Sequence, residues 1–104
     1  MTANIVAQGS DLALLSGSLN LKTVGGLLTQ GNLLIAAAQQ EWTLDMSAVE
    51  GVSSAGAALL VEWLKQSTVL KKPFYIKNFP ESLRPILEVS DLMALFTPLL
   101  RPEE

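Results

Sequence analysis

Two short apolar runs near the start of the chain are separated by three turn-forming residues. The runs are residues 4–8 (NIVAQ) and 12–15 (LALL), with Gly9-Ser10-Asp11 between them. Tight turns favour these residues, because glycine adopts positive φ and short polar side chains bond to nearby backbone. The pattern therefore predicts a hairpin of two antiparallel strands.

The first long stretch with helical spacing covers residues 22–40. Its apolar positions recur three and four residues apart, as on one side of a helix. Gly25, Gly26 and Gly31 weaken this helix by about 1 kcal/mol each relative to alanine. Either these glycines permit close packing, or Gly31 and the asparagine after it break the helix.

A second helix is predicted over about residues 55–70. Its main apolar stripe is flanked by a second one that contains Leu59, Trp63 and Leu70. This second stripe either widens the core face or forms a groove anchored by Trp63, since tryptophan is enriched in the energetic centres of protein interfaces. At the end of this helix Lys71 and Lys72 are expected to be solvated.

Alternation of apolar and polar residues predicts two further strands, and proline positions limit the elements after them. In order, these elements are strand 41–46, loop 47–53, strand 74–79, helix 81–89 and an apolar closing segment 91–100, in which Pro98 argues against a central strand. Trp42 is expected to point inward, and Asp45 to brace the following loop by accepting backbone N–H groups.

The predicted order is β-β-α-β-α-β-α followed by one more strand or helix. Strands joined through a helix are expected to be parallel, because the crossover returns the chain in the same direction. We therefore expect one α/β domain over residues 1–101, with a mixed sheet of four to five strands and helices mainly on one face. Residues 102–104 form a polar tail.

The composition excludes several classes of chemistry. The 104 residues contain no Cys and no His, so no thiolate nucleophile, histidine base, Ser-His-Asp triad or Cys/His zinc site can form. We expect a protein that is not an enzyme and that needs neither metal nor cofactor. A net charge of −3, with scattered basic residues, argues against nucleic acid as a partner.

Only 16% of the residues are charged, against roughly 25% in average domains. The longest uncharged run, residues 23–40, contains too many glycine, asparagine and glutamine residues for a membrane-spanning helix. The N-terminal residues lack the pattern of a signal peptide. We therefore expect no direct membrane insertion and a cytoplasmic location.

The stretch WTLDMSAVEGVSSAGAALLVEWLKQSTVLK, residues 42–71, resembles the signature of STAS domains, the fold of anti-sigma-factor antagonists. Its Leu44-Asp45-Met46-Ser47 matches the end of a strand in that family. Its Val52-Ser53-Ser54-Ala55-Gly56 matches the loop that opens the next helix. Upstream, residues 14–20 (LLSGSLN) resemble the L-x-G-x-L-D turn of the family. The resemblance implies a STAS-like fold and a loop that docks on a protein partner.

Three positions depart from the pattern of the phosphorylated antagonists, and the first is Asn20, which replaces the aspartate of the upstream turn. The resemblance places Ala55 where those proteins carry the phosphorylated serine, and Ser53 where they carry aspartate. Ser54-Ala55-Gly56 looks more like the MlaB group, in which a STAS subunit binds the ATPase (MlaF) of a phospholipid ABC transporter. A cytoplasmic subunit held at the inner membrane by its partner is implied.

The candidate partner-binding residues are therefore Ser53, Ser54, Ala55, Gly56, Leu59 and Trp63. For Ser53 and Ser54 the alternative role is to cap the helix, because a serine at a helix start accepts from free N–H groups. Both serines are also candidate phosphorylation sites. In that alternative the chain is an anti-sigma-factor antagonist, and its partner is an anti-sigma-factor kinase.

Overall fold

The computed structural model describes residues 2–101, so the tail predicted for residues 102–104 lies outside the described part. The strands are β1 Ala3–Ala7, β2 Leu12–Leu19, β3 Trp42–Val52, β4 Phe74–Lys77 and β5 Leu100–Arg101. The α-helices are α1 Val24–Ala37, α2 Ser54–Val69, α3 Arg84–Val89 and α4 Met93–Phe96. Short 3₁₀ turns at Glu81–Leu83 and Thr97–Leu99 complete the described elements.

The strands form one sheet in the order β1-β2-β3-β4-β5. β1 runs antiparallel to β2, and the other neighbours are parallel. Because strand order follows chain order, right-handed crossovers place the helices on the same face of the sheet. Contacts of α1 with α2, of α2 with α3 and of α3 with α4 agree with this. The predicted mixed α/β sheet is confirmed.

The predicted end of β3 is wrong. The strand does not stop at Met46; it continues to Val52 through the segment expected to be a loop. β2 is also longer than expected, and its second half pairs with this continuation, with Ser16 opposite Ala48 and Leu19 opposite Val52. The sequence hid this pairing because two register shifts interrupt the ladder and the SAVEG residues do not alternate.

Gly17 makes the extension of β2 possible. Its φ is +91°, and a Cβ atom there would overlap the carbonyl oxygen of Thr2. A residue with a side chain would be strained at this φ, whereas glycine is not. Gly17 belongs to LLSGSLN, the segment that resembles the turn of the family. The backbone conformation of β2 itself therefore requires this glycine.

The helices largely follow their predicted bounds. α1 is continuous, so Gly31 and Asn32 do not break it. The segment predicted as helix 81–89 begins as a 3₁₀ turn and becomes α-helical at Arg84. Across residues 2–101 there is no helix with the length and apolar character needed to span a bilayer.

The closing segment contains both a helix and a strand. It forms α4, a 3₁₀ turn that contains Pro98, and then β5, which is two residues long. β5 pairs with β4 at the edge of the sheet, with Ile76 opposite Leu100. A proline just before a short edge strand removes no interior ladder hydrogen bond, which is why Pro98 is tolerated there.

An aromatic cluster lies at the centre of the core. Trp42 points inward, as predicted, and its ring centroid lies 5.3 Å from that of Phe74 in a stacked arrangement. The Trp63 ring meets Trp42 edge to face, with centroids 5.4 Å apart. Both geometries are favourable for aromatic pairs, which bury large apolar areas.

Lys72 is not a solvated helix end. Its Nζ donates to the carbonyl oxygens of Ile35 and Ala36, at 2.8 and 2.7 Å. These carbonyls belong to the last turn of α1, where helices have free acceptors and a partial negative charge. Lys72 therefore ties the end of α2 to the end of α1, while Lys71 is exposed as expected.

Candidate docking site

Ser53 is the N-cap of α2. Its Oγ accepts from the backbone N–H of Ala55 at 3.1 Å and donates to the carbonyl oxygen of Leu19 at 3.2 Å. Its own backbone N–H also donates to the Leu19 carbonyl, at 3.0 Å. The Ser53 hydroxyl is therefore engaged in joining the start of α2 to the end of β2, as its capping role predicts.

Ser54 is in the opposite situation. It is the first residue of α2 and is exposed to solvent. Among residues 2–101 its hydroxyl has no hydrogen-bond partner. The free N–H groups of a helix start make its surroundings partly positive. Of the two serines, Ser54 is thus the one whose hydroxyl is free to contact another molecule.

Gly56 lets α2 approach the ends of β2 and β3 closely. A Cβ atom at this position would lie 2.7 Å from Val52 Cγ1 and 3.0 Å from Leu19 Cβ. Such contacts are too short for real atoms, so a side chain would displace the helix start. Gly56 was predicted to lie in a docking loop, but it is buried. Its role is to let the start of α2, with Ser54, lie close to the ends of β2 and β3.

Trp63 is not on the surface. Its relative exposure is 0%, and its Nε1 donates to the Leu28 carbonyl oxygen at 3.4 Å. Of the two roles that the sequence left open for this stripe, Trp63 has the core one: it packs against α1 and does not anchor an exposed groove, whereas Leu70, at the end of the same stripe, is exposed. The helical wheel could not distinguish these roles, because it does not show which helix lies beside the stripe.

Leu59 is also buried, with 3% exposure, but it lies beneath a groove between the first halves of α1 and α2. We call this surface the α1–α2 groove. It has a volume of about 230 Å³. Its lining consists of Leu21, Val24, Gly25 and Leu28 on one side and Ala55, Ala58, Leu59 and Glu62 on the other. Ala55, one residue after Ser54, joins the groove to the loop.

The turn between β2 and α1 completes the site and was missed from the sequence. Asn20, Leu21 and Lys22 line a depression together with Ser53. The turn is held by Thr23, whose Oγ1 accepts from the Asn20 N–H at 2.9 Å and donates to the Ser18 carbonyl at 2.8 Å. The sequence could have indicated this neighbour, because the parallel strands β2 and β3 end at the same edge of the sheet and the segments that follow them therefore lie side by side.

Asp45 accepts a backbone N–H group, as predicted, but the segment that it braces is the continuation of β3 and not a loop. Its Oδ1 accepts from the Ser47 N–H at 2.9 Å and from Asn78 Nδ2 at 3.0 Å. Burial raises the pKa of Asp45, but the hydrogen bonds from Asn78 and Ser47 and the charge of Lys77 outweigh it, so the pKa lies below its ordinary value. Asp45 is a structural carboxylate and does not line the α1–α2 groove.

The site contains few charged side chains. Within the described range, 2–101, no group of acidic side chains is placed to hold a metal ion. The charged side chains beside the loop and the groove are Lys22 and Glu62. What the arrangement offers is an apolar surface, one free hydroxyl and a helix start, which suits contact with a protein.

This fold is that of STAS domains. Two solved structures of SpoIIAA superpose on the chain: the anti-sigma factor antagonist in its unphosphorylated form and the Bacillus cell fate determinant in its phosphorylated form. Their TM-scores are 0.73 and 0.71. Each is 12% identical in sequence, covers 98% of this chain, and is itself covered to 88% and 91% respectively.

The match in sequence identifies the family more narrowly than the likeness in fold does. Residues 4–101 match the family model described as the MlaB STAS domain, so the chain belongs to that STAS family. Comparison with curated proteins gave no match. STAS domains mediate protein–protein interactions, which agrees with the chemistry of the loop and the groove.

Proposed function

We propose that this protein is a non-enzymatic, MlaB-like subunit that binds and regulates the ATPase of a phospholipid ABC transporter. The observation that carries the proposal is the free Ser54 hydroxyl at the exposed start of α2, beside Ala55 and the apolar α1–α2 groove. The family match to MlaB STAS domains supports the choice of partner. The subunit would be cytoplasmic, peripheral to the inner membrane through the ATPase.

Docking at this surface follows from ordinary interface chemistry. An interface centre is apolar and poor in charge, and a few polar groups fix its geometry. Ser54 supplies such a polar group, because Ser53 already satisfies the Ala55 N–H and leaves the second hydroxyl free. Ser53 and Gly56 act indirectly, by holding the loop, whereas Ser54 and Ala55 would touch the partner.

The anti-sigma-factor antagonist is the second candidate. The SpoIIAA fold is consistent with it, and Ser54 is accessible to a kinase. Against it stands Ala55, which occupies the position of the phosphorylated serine in the resemblance and has no hydroxyl. Phosphate on Ser54 would place about two negative charges on the docking surface and would favour release of a partner.

The test is co-purification of the tagged chain with the ATPase subunit of its own phospholipid transporter, followed by ATPase assays of the complex. We expect a stable complex, and we expect Ser54→Glu to weaken it. Ser82→Glu is the matched control, because Ser82 is an exposed serine that lines neither the depression beside Ser53 nor the α1–α2 groove. Failure to recover the ATPase, together with normal transport in the Ser54→Glu strain, would refute the proposal. Phosphoserine in the loop with a kinase as partner would favour the second candidate.

A further inference from the structure

The outer side of β1 is an open edge of the sheet. The Gln8 N–H donates to the Leu12 carbonyl oxygen at 2.8 Å, so Gln8 and every second residue before it direct their backbone groups at β2. The residues between them, Ala3, Ile5 and Ala7, direct theirs outward, where no further strand of the described chain lies. β1 therefore presents a row of backbone donors and acceptors that another strand can satisfy.

The two edges of the sheet differ in how they are protected. Proteins protect edge strands by making them short or by adding proline, charged side chains or bulges. β5 has two residues, follows a turn with Pro98 and contains Arg101, whose guanidinium carbon lies 3.6 Å from the centroid of the Tyr75 ring. β1 has five residues, no proline and a regular register, and the sequence has no charged side chain before Asp11. Pairing with another strand is thus discouraged at β5 and permitted at β1.

One side chain competes for the edge of β1. The Oδ1 of Asn4 accepts from the Ile5 N–H, one of the outward donors, at 3.0 Å. Asparagine side chains form such local bonds in competition with ladder hydrogen bonds. Because Asn4 is exposed, its side chain is free to turn away and leave the donor to another strand. Asn4 therefore weakens pairing at this edge without preventing it.

The helix that packs on β1 has an uncharged outer face. α1 contacts β1, and an exposed row on the side of α1 away from α2 contains Gly26, Gln30, Leu33 and Ala37. Leu33 is 67% exposed within this row. The outer side of a surface helix normally carries charged residues, but the sequence has none over residues 23–40. The edge of β1 and the exposed row of α1 together form an uncharged surface.

We infer that β1 pairs antiparallel with β1 of a second copy of this chain, and that the exposed row of α1 packs against the same row across the twofold axis. With Ile5 on the axis, every outward residue meets another one: Ile5 meets its counterpart, and Ala3 meets Ala7 of the second copy. The edge is therefore self-complementary, as a twofold interface requires. Glu50, which lies beside Ala3, would approach the uncharged Ala7 end of the second copy and not the other Glu50.

The chemistry of this surface selects a second copy as its occupant. An open sheet edge binds an extended strand, and β1 is such a strand with matching outward groups. A twofold axis places like charges near each other, and this surface has none to repel. One strand edge and one helix row form a small contact, of the size of transient interfaces below about 1,200 Å². We therefore expect a weak dimer, and this expectation does not depend on the proposed function.

Sedimentation velocity of the purified full-length chain, from low micromolar to near-millimolar concentration, tests the inference. The wild type should change from monomer to dimer as the concentration rises. Leu33→Glu should raise the dissociation constant about tenfold or more, because it brings like charges together at the axis. Leu95→Glu is the matched control, since Leu95 is 52% exposed but lies on α4, and it should have no effect. Asn4→Ala should lower the dissociation constant, because it removes the competitor for the Ile5 N–H.

Ala7→Pro tests the strand pairing itself. It removes an outward N–H and leaves the bonds between β1 and β2, so it should abolish the dimer without unfolding the chain, which thermal unfolding checks. A wild type that stayed monomeric at every concentration would overturn the inference. A dimer that neither Leu33→Glu nor Ala7→Pro weakened would also overturn it, because the interface would then lie elsewhere. A dimer insensitive to both Ala7→Pro and Asn4→Ala would show that β1 does not pair.

Discussion

The indole ring of Trp63 lies directly on Gly31, so that a Cβ atom at residue 31 would overlap the ring. The contact brings α1 and α2 together at the point where Trp63 also meets Trp42. Gly31 is buried in the middle of α1 and weakens the isolated helix. The helix tolerates that loss because the glycine makes room for a fully buried tryptophan.

Gly31→Ala is expected to destabilise the protein by about 1–3 kcal/mol, because extra volume in a packed core forces side chains or helices to move. In a domain of this size, that corresponds to a fall in melting temperature of roughly 4–8 °C per kcal/mol. Thermal unfolding followed by circular dichroism measures it. Gly26→Ala is the control: its Cβ would meet open space, so stability should stay the same or rise. Equal stability of the two variants would contradict the packing described here.

Lys72→Met should lower stability by about 1–3 kcal/mol, because two carbonyl groups at the end of α1 lose a charged donor. Lys71→Met removes the same charge from an exposed neighbour and should change stability by less than about 0.5 kcal/mol. Urea unfolding midpoints of the two variants provide the comparison. If both midpoints moved equally, net charge and not the cap on α1 would be responsible.

The hydrogen bonds that Asp11 accepts make the stability of the protein depend on pH. Its carboxylate accepts the backbone N–H groups of Gln39, Gln40 and Glu41, at 2.7, 3.2 and 3.5 Å. The bond from Gln39 is the main cause that lowers the pKa of Asp11; desolvation opposes it, and the other two bonds add to it. The carboxylate therefore joins the β1–β2 turn to the segment between α1 and β3.

Because the native pKa is below the ordinary value of 3.8, the unfolded chain takes up the proton first as the pH falls. The stabilisation by Asp11 is thus complete above pH 3.8 and is lost as the pH falls through the native pKa. Asp11→Asn should be less stable than the wild type at pH 7, and the difference should shrink below about pH 4. Urea unfolding of both proteins at several pH values tests this. A difference that stayed constant down to pH 3 would show that the charge has no part in the contact.

The sequence predicted elements well where the side-chain period is clear and the chain is locally consistent. The hairpin, the two long helices and the inward Trp42 are examples. It failed at residues 47–52, because their pairing depends on a distant partner, the second half of β2, and on register shifts that no local pattern indicates. The length of β3 is therefore determined by its pairing with β2 and not by its local sequence.

Only part of the candidate site was predicted, because some of its features are local and others depend on tertiary contacts. Capping chemistry is local, so Ser53 and Ser54 were recognised as the start of a helix. The separation of their roles needed the position of Leu19, whose carbonyl accepts from Ser53. Leu21 was missed because its exposure depends on how α1 packs beside α2. Lys72 was assigned to solvent because its acceptors belong to another helix.

The two neighbouring serines should respond differently to the same substitution. Ser53→Ala removes the cap on the Ala55 N–H and the bond to Leu19, and should lower the free energy of unfolding by about 1 kcal/mol. Ser54→Ala removes a hydroxyl without a partner among the described residues and should change it by less than about 0.5 kcal/mol. Chemical unfolding of both variants, with Ser82→Ala as an exposed-serine control, measures the difference. If Ser54→Ala proved as destabilising as Ser53→Ala, its hydroxyl would have a structural role, and the separation between the serine that holds the loop and the serine that faces the partner would be lost.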